Sequence, residues 1–384
     1  MSTFITVLLT VLVFGMMIFV HELGHYLTAR LFDVHILEFS IGMGPKLISR
    51  RSKKTGILYS LRILPIGGYV QMVGENGEDG MNEAEKEKYF SENPALAEFE
   101  NDPRALSKKP IWQRMIIIAA GGITNIVIGL LLTFVMVGSM QALGGTTVGA
   151  FNENATSNQY GLEENDIIVK VNNTSVSTHM MLAYSVMYYG DEPIDLTVIR
   201  GADIQYNEKG EMVNYTGGEK IVLEDVVFPA EAMDEYGNAV YGDMDFRVYP
   251  VEKNFFTVVS QSFEYGSMMI KTVWDGLFDL ISGRYGIEAF SSPVGISSEI
   301  GSAARSGASS FLYIVVILSV NLGIINLLPI PALDGGHLLF YFIELIRRKP
   351  VGAKLRARLN AVFMMLIFGF AFFILFKDIV NIFI

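Results

Sequence analysis

The chain has 384 residues, of which 51% are hydrophobic and only 18% are charged, a balance that excludes an ordinary soluble protein of this length and indicates membrane spans. Its formal net charge of −11 argues against nucleic acid as a partner. Because it contains no cysteine, disulfides and thiolate metal sites are excluded, and any bound zinc must use histidine and carboxylate ligands.

Four apolar segments reach the length of about 20 residues that a membrane-spanning helix needs. They cover about residues 4–32, 115–143, 311–330 and 359–376. The alternative for each is a helix buried in a protein core. Lysine and arginine are concentrated between the first and second segments and between the third and fourth, so both of these loops are predicted to be cytoplasmic. Residues 144–308 and both termini are then extracytoplasmic.

The first apolar segment contains His21-Glu22-Leu23-Gly24-His25. Two histidines four residues apart lie on one face of a helix and can share one metal ion, and the glutamate between them can act as a base. Ionisable residues at membrane depth are costly, so their presence there indicates a function. The sequence therefore predicts a zinc protease site inside the membrane, with His21 and His25 as metal ligands and Glu22 as the catalytic residue.

A catalytic zinc normally takes three protein ligands, so a third ligand is needed. Asp334 follows Pro329 and Pro331 at the cytoplasmic end of the third segment, at the same predicted depth as the two histidines. The prolines break the helix there and can turn Asp334 inward. Spacing alone leaves two alternatives open: Asp334 caps the apolar helix predicted at residues 338–346, or His337 is the ligand.

Residues 36–49 and 57–73 are rich in β-forming residues and are interrupted by glycine and proline. They are too apolar for a free loop and too short to cross a membrane, so we predict a β-hairpin at the cytoplasmic membrane surface. An exposed strand edge can bind an unwound substrate by β-addition, and residues 57–73 are the predicted edge. Residues 75–102 are acidic and polar, which predicts a solvated connector with one short helix.

The segment that begins at residue 144 has short alternating strands between turn-rich stretches, which predicts a small, mostly β domain. Residues 202–218 are polar and rich in glycine and asparagine, typical of an extended hairpin loop or an insertion. After Val251 the apolar residues recur at helical spacing. This spacing predicts either a helix packed on the domain or an amphipathic helix on the outer membrane surface.

These features together resemble the site-2 protease family of intramembrane metalloproteases, and in particular the bacterial type that cleaves anti-sigma factors. The resemblance covers essentially the whole chain, and its motifs occur in the family's order. They are the metal motif at residues 21–25, Phe39-Ser40-Ile41-Gly42-Met43-Gly44-Pro45, Leu64-Pro65-Ile66-Gly67-Gly68-Tyr69-Val70, and the stretch from Asn326 to Asp334-Gly335-Gly336. Tyr160-Gly161-Leu162-Glu163-Glu164-Asn165-Asp166-Ile167-Ile168 is similar to the core of a PDZ domain, and only one such domain fits here.

The resemblance implies a Zn²⁺ ion held by His21, His25 and Asp334, with Glu22 as general base. It also implies that Asn326 holds the substrate backbone near the metal. Further substrate-binding candidates are Pro329, Gly42, Gly44, Gly67 and Gly68. One departure lies in the second span, where the family's Gly-Pro-x-x-Asn becomes Gly121-Gly122-Ile123-Thr124-Asn125; the missing proline is expected to straighten the helix.

The expected fold is a membrane protein with four transmembrane α-helices, a cytoplasmic-side membrane-associated β-hairpin region and one extracytoplasmic PDZ-like, mostly β domain. The predicted divisions are transmembrane helix 1 (1–35), the cytoplasmic loop with its β elements and connector (36–110), transmembrane helix 2 (111–143), the PDZ-like domain (144–250), an amphipathic juxtamembrane segment (251–308), transmembrane helix 3 (309–346), and a basic loop with transmembrane helix 4 (347–384).

The implied function is regulated intramembrane proteolysis in the lipid of a bacterial inner membrane. The implied substrates are single-span membrane proteins, such as anti-sigma factors or remnant signal peptides, and the PDZ-like domain is expected to exclude those with bulky outer domains.

Two other classes of function are alternatives: a metal or small-ion transporter, and an inactive scaffold built on the PDZ-like domain. Broken helices at mid-membrane are common in transporters, but the sequence shows no inverted repeat. A glutamate directly after a ligating histidine suits hydrolysis better than transport.

Overall fold

The computed structural model describes residues 2–75, 81, 83–189, 192–228, 244–284 and 292–383. Its helices are α1 (Thr3–Leu31), α2 (Glu83–Glu92), α3 (Pro94–Ala97), α4 (Ile111–Ser139), α5 (His179–Tyr189), α6 (Phe255–Ser282), α7 (Pro293–Ser306), α8 (Ala308–Leu327), α9 (Asp334–Arg347) and α10 (Ala353–Phe383). Its strands are β1 (Ile36–Arg51), β2 (Leu58–Met72), β3 (Leu143–Phe151), β4 (Ile167–Val171), β5 (Thr174–Ser175), β6 (Ile194–Tyr206), β7 (Met212–Val226) and β8 (Phe246–Val251).

Four helices in the described residues, α1, α4, α8 and α10, are long and apolar enough to cross a membrane. Their apolar side chains are largely uncovered: only 11% of the most apolar stretch of α1 and 6% of that of α10 is buried. An apolar surface of this extent is suited to contact with lipid. The chain is therefore a multi-pass membrane protein.

One predicted span boundary is wrong. The second span is predicted to reach Leu143, but α4 ends at Ser139 and Leu143 is the first residue of β3. Helix α10 contains the predicted fourth span and begins before it, at Ala353 within the basic loop. Apolarity alone does not mark these ends, since a buried strand and a helix can both be continuously apolar.

The chain divides into two compact units, Met1–Leu131 with Ile270–Ile384, and Leu132–Met269. In the first unit, β1 and β2 form the predicted antiparallel pair, but both strands bend and pair along two sections. Phe39 lies opposite both Val70 and Tyr59, and Tyr59 in turn lies opposite Arg50. The sections around Phe39 and Tyr59 are therefore interior, and those around Val70 and Arg50 are the two edges.

Only the last part of the predicted edge, residues 57–73, is in fact an edge. Residues 58–61 have partners in two sections of β1, whereas residues 68–72 have partners in one. The bend of β1 lies at Gly42 and Gly44, with φ of +84° and +83°, and β2 has Gly67 at φ +73°. Such backbone is readily adopted only by glycine.

Small residues allow α1, α4 and α8 to pack closely in the first unit. A Cβ atom at Gly24 of α1 would lie 2.5 Å from the carbonyl oxygen of Ala120 in α4. One at Gly122 of α4 would lie 2.8 Å from the carbonyl oxygen of Gly323 in α8. Close backbone approach at small residues is a general mode of helix packing in membranes. This close packing places the His21–His25 motif of α1 and the C-terminal end of α8 against the same helix, α4.

The connector after β2 contains two short helices, α2 and α3, rather than the single one expected. Glu85 of α2 pairs with Lys354 at the start of α10, with 2.7 Å between Oε1 and Nζ. The N–H group of Leu106, in a 3₁₀ turn, donates to the carbonyl of Val73 at 2.7 Å. Both contacts tie the connector to the first unit. Residues 76–80 and 82 of the predicted connector lie outside the described residues.

The second unit contains a six-stranded sheet with the order β3-β8-β7-β6-β4-β5. Fully buried apolar side chains of the strands and of α5 form its core, among them Ile168, Leu182, Val186 and Leu196. Residues 202–218 form the facing ends of β6 and β7, as the hairpin alternative predicts. Residues 190–191 and 229–243 of the predicted domain lie outside the described residues.

The helical spacing after Val251 corresponds to α6. In the second unit its first half contacts α4, where the rings of Phe134 and Phe263 pack edge to face 5.4 Å apart. It also contacts β3, since the side chain of Gln261 donates to the carbonyl of Gly144 at 3.3 Å. Phe255 on the same helix is 74% exposed. The packed alternative thus has support, and a membrane-surface role of the exposed side stays a prediction; residues 285–291 lie outside the described residues.

Candidate active site

Helix α1 places His21, Glu22 and His25 on neighbouring positions of its buried surface. All three are at most 9% exposed. The space for the two rings depends on Gly121 of α4, where a Cβ atom would lie 2.2 Å from His25 Nε2 and 2.8 Å from His21 Cε1. The helix opposite the histidines therefore has a glycine at the point where any side chain would displace them.

Asp334 reaches the histidines because the chain turns sharply after α8. Helix α8 ends at Leu327, ahead of Pro329, and Ala332 takes a left-handed backbone conformation with φ +80°. The N–H group of Ala332 donates to the side-chain oxygen of Asn360 in α10 at 3.2 Å. Helix α9 then starts at Asp334 itself, with Leu333 in the capping position. The interpretation of Asp334 as a helix cap is therefore wrong.

The three side chains form a compact triangle that can hold one metal ion. Asp334 Oδ2 lies 3.2 Å from His21 Nε2 and 3.3 Å from His25 Nε2, and the two nitrogens are 3.3 Å apart. Tetrahedral zinc with ligand distances of about 2.0–2.1 Å requires its ligand atoms to be about 3.3 Å apart. Asp334 Oδ2 is buried and has no hydrogen-bond partner among the described residues. The donor set and its spacing thus fit zinc.

Each histidine also has a contact on its other ring nitrogen. His25 Nδ1 lies 2.8 Å from the carbonyl oxygen of Ile117, so its proton is donated there and Nε2 is left for the metal. His21 Nδ1 lies 3.5 Å from the amide nitrogen of Asn125, whose Oδ1 is buried without a partner in the described part of the chain. Turning the Asn125 amide by 180° lets Oδ1 accept the His21 proton and satisfies both groups.

Gly68 brings the edge of the sheet against Glu22. A Cβ atom at Gly68 would lie 2.8 Å from Glu22 Cγ and 2.8 Å from the carbonyl oxygen of Ser40. A substrate segment paired with residues 68–72 is therefore next to the glutamate of the metal motif. Among the predicted substrate-binding glycines, Gly68 is the one that the structure places directly against this motif.

The other predicted substrate-binding residues have no contact among the described residues that defines a role at the site. Gly42 and Gly44 form the bend of β1 beside Leu64, and Gly67 packs against Met43. Asn326 is half-buried at the end of α8, and Pro329 is exposed after it. His337, the alternative ligand, is outside the group of side chains in the described residues that can share a metal ion.

Gly121 and Asn125 are named in the sequence only as part of the motif of the second span, without a role at the metal site. Their spacing of four residues also puts them on one face of α4. The spacing does not indicate which helix this face of α4 contacts. The role of the two residues therefore follows only from the packing of α1 against that face.

Two histidines and an aspartate that can hold one metal ion, with a glutamate beside them in a helix suited to spanning a membrane, are the arrangement expected of an intramembrane metalloprotease. The family model for Peptidase family M50 matches residues 9–370. The chain therefore belongs to peptidase family M50, the site-2 protease family. It is an intramembrane zinc metalloprotease, which confirms the predicted family, enzyme class and cofactor.

Several bacterial relatives match over nearly their whole length. A putative zinc metalloprotease of Clostridium acetobutylicum is 30% identical over 98% of both chains. One from Fusobacterium nucleatum is 31% identical and covers 98% of this chain and 99% of its own. The regulator of sigma-W protease RasP of Bacillus subtilis is 28% identical over 92% of this chain and 93% of its own.

Proposed function

We propose that His21, His25 and Asp334 bind the zinc ion and that Glu22 is the general base of peptide hydrolysis. The observation that carries this proposal is the triangle of three ligand atoms, 3.2–3.3 Å apart, which matches tetrahedral zinc. The buried, unpartnered Asp334 Oδ2 and the polar contacts of His21 and His25 support the same assignment.

Bound zinc supplies Lewis acidity, which makes water a stronger acid and polarises the peptide carbonyl. Glu22 directly follows His21, lies about one helical turn before His25 and is buried with both, so it can take the proton of the attacking water and pass it to the leaving amine. The bond broken is the peptide C–N bond, and the proton taken by Glu22 ends on the new amino group. Ile117 and Asn125 keep the histidine rings in the orientation that this chemistry needs.

A transmembrane substrate must unwind before hydrolysis, because its peptide groups are engaged in helical hydrogen bonds. The freed groups need new partners at membrane depth. The edge at residues 68–72 offers them next to Glu22, through β-addition. Asn326 and Pro329, with the glycines at 42, 44 and 67 that shape the sheet, complete the proposed binding region.

The proposed substrates are single-span membrane proteins. The Bacillus subtilis relative is named as a regulator of sigma-W, which supports anti-sigma-factor-like substrates, and remnant signal peptides are a second group. The positive-inside distribution of Lys and Arg supports a bacterial inner membrane location with both termini outside and the active site toward the cytoplasm. The mostly β second unit is then extracytoplasmic, and its 160–168 motif supports a PDZ-like domain that filters substrates by size.

The direct test is cleavage of a model transmembrane substrate by the detergent-purified protein beside Glu22→Gln, with zinc content measured on both. Glutamine keeps the size of the side chain and removes the base. We expect about one zinc in each protein and cleavage by the parent alone. Cleavage by Glu22→Gln at the parent's rate would overturn the assignment of the base.

A further inference from the structure

A polar cavity of about 770 Å³ lies in the first unit, beside the active site. It is lined by the edge strand at Gln71, by Glu75, by α2, and by α9 and α10 through His337 and Asn360. His337, which lines this end of the cavity, lies about one helical turn after Asp334 in α9, so this end of the cavity is close to the catalytic groups. A substrate strand paired along residues 68–72 therefore continues past Gln71 into the cavity.

Arg356 of α10 lines this cavity and is only 6% exposed. Its Nε and Nη2 atoms are buried and have no hydrogen-bond partner among the described residues. Its nearest carboxylate, Glu344, is 3.6 Å from Nη2, and the same carboxylate takes two contacts from Arg114 at 2.5 and 3.3 Å. Two guanidinium groups thus share one carboxylate. Because Nε and Nη2 are closed off from solvent, the cavity reaches only the remaining edge of the Arg356 guanidinium, and the net positive charge of these three groups favours an anion there.

Asn360 supplies a second donor one helical turn further along α10. Its side-chain oxygen already accepts the N–H group of Ala332 at 3.2 Å, which leaves the amide NH₂ group as its contribution to the cavity. A carboxylate has two oxygens and pairs well with a guanidinium and a neighbouring amide donor. The two side chains are thus suited to one carboxylate.

The other charged groups that line the cavity do not cancel this preference. Glu85 is paired with Lys354 at 2.7 Å, and Glu92 with Lys88 at 3.7 Å. Glu75 accepts the N–H group of Met72 at 3.1 Å, and burial raises its pKa to about 7, so it is only partly ionised at neutral pH. The charge on Arg356 therefore dominates its end of the cavity.

We propose that Arg356 and Asn360 form a subsite that selects an aspartate or glutamate side chain of the substrate, on the flank that leaves the active site through this cavity. The inference rests on the proposed function, because the cavity acts as a subsite only if the edge strand holds substrate. Most of the lining residues carry polar or charged groups, with charged side chains of α2 on one side, which favours a water-exposed polypeptide over a lipid with its acyl chains.

The test is a series of model transmembrane substrates with a single Glu, or Gln as its uncharged match, at successive positions of that flank. The parent protein should show about tenfold higher kcat/KM for Glu than for Gln at one or two adjacent positions, from charge-assisted hydrogen bonds. Arg356→Gln should remove this preference while cleavage of the Gln substrates continues. Cleavage of the Gln substrates that depends on Glu22 tests the proposed function separately.

Three controls keep the outcome interpretable. Arg358→Gln removes the same charge from an exposed position of α10 and should leave the preference intact. Asn360→Asp keeps the acceptor for Ala332, replaces the donor with a carboxylate and should also abolish the preference, even if Arg356→Gln does not fold. Zinc content and melting temperature monitor the fold of each variant.

Three results would overturn the proposal. The first is a parent protein with no Glu preference at any position, and the second is equal loss of preference in Arg356→Gln and Arg358→Gln. The third is that phospholipid phosphate co-purifies with the parent and is lost from Arg356→Gln, while Glu and Gln substrates slow equally. That result would assign the pocket to a lipid headgroup instead.

Discussion

Asn125 and Asn326 are two asparagines with different proposed tasks. Asn125 is fully buried and faces His21, whereas Asn326 is half-buried at the end of α8. Residues that orient a ligating histidine typically contribute a factor of about 10–100 to metal affinity. We therefore predict that Asn125→Ala weakens zinc binding by about that factor, measured by competition with a chelator.

Asn326→Ala is the matched control, since its proposed partner is the substrate. It should bind zinc as the parent does and lose activity mainly through a higher KM. Equal zinc affinities for the parent and Asn125→Ala would contradict the role of Asn125.

A second prediction concerns the space that Gly121 leaves for the histidines. In Gly121→Ala the new methyl group would lie 2.2 Å from His25 Nε2, so the rings must move and the triangle must open. We expect loss of bound zinc and of activity. Gly138→Ala in the same helix is the control, because no atom lies within 4 Å of the added Cβ and alanine favours helix by up to about 1 kcal/mol. Full zinc occupancy in Gly121→Ala, measured by metal analysis, would contradict the argument.

At the residue scale, the sequence predicted the two histidines and Glu22 because their spacing is local to one helix. Asp334 was only one of two candidates on spacing, because its position depends on a turn over residues 328–333 and on Ala332 at φ +80°. A left-handed alanine has no sequence signal, since most such positions are glycine or asparagine. The resemblance to a family, rather than the spacing, favoured Asp334 over His337.

At the element scale, the two edges of the β1–β2 sheet provide an internal comparison for substrate capture. The edge at residues 68–72 lies beside Glu22, whereas the edge around Arg50 is on the opposite side of the sheet, with two interior sections between them. Val70→Pro removes a backbone N–H group from the free side of the first edge, because the N–H group of Val73 bonds to His35 on the β1 side and N–H groups alternate along a strand. We expect cleavage to fall about five- to tenfold, as the loss of one or two backbone hydrogen bonds predicts, with zinc content unchanged.

Ser49→Pro on the opposite edge serves as its control and should change cleavage by less than about twofold, because no substrate is expected to pair there. If the two proline variants slow cleavage to the same degree, general damage to the sheet explains the effect. That result would contradict substrate binding along residues 68–72.

The four spanning helices and the β pair could be predicted from local patterns. The length of an apolar segment and the alternation of a strand can both be read from short stretches of sequence. The division of β1 and β2 into interior and edge sections could not be predicted in this way. It depends on bends at Gly42, Gly44 and Gly67, and a glycine in a strand marks a bend, a bulge or a close approach without distinguishing them. The predicted edge was therefore too long.

At the scale of the whole molecule, the sheet of the second unit can be removed as one piece. Leu143 and Val251 lie opposite each other as antiparallel partners in β3 and β8, so a short Gly-Ser linker can replace residues 143–251. A shorter deletion of residues 146–230 would leave β8 without its sheet. If the unit filters substrates by size, the deletion protein should cleave full-length substrates with folded outer domains that the parent leaves intact.

A substrate trimmed to a short outer stub is the control for this deletion, and both proteins should cleave it at similar rates. Continued resistance of the full-length substrate, together with normal cleavage of the stub, would exclude the filter.

The most direct test of the central claim is the zinc content and zinc coordination of four purified proteins: the parent, Glu22→Gln, Asp334→Ala and His337→Ala. X-ray absorption should show two nitrogen ligands and protein oxygen in the parent, at the distances of about 2.0–2.2 Å usual for zinc. We predict one zinc in the parent, in Glu22→Gln and in His337→Ala, and loss of zinc in Asp334→Ala. Retained zinc in Asp334→Ala, or its loss in His337→Ala alone, would contradict the ligand set.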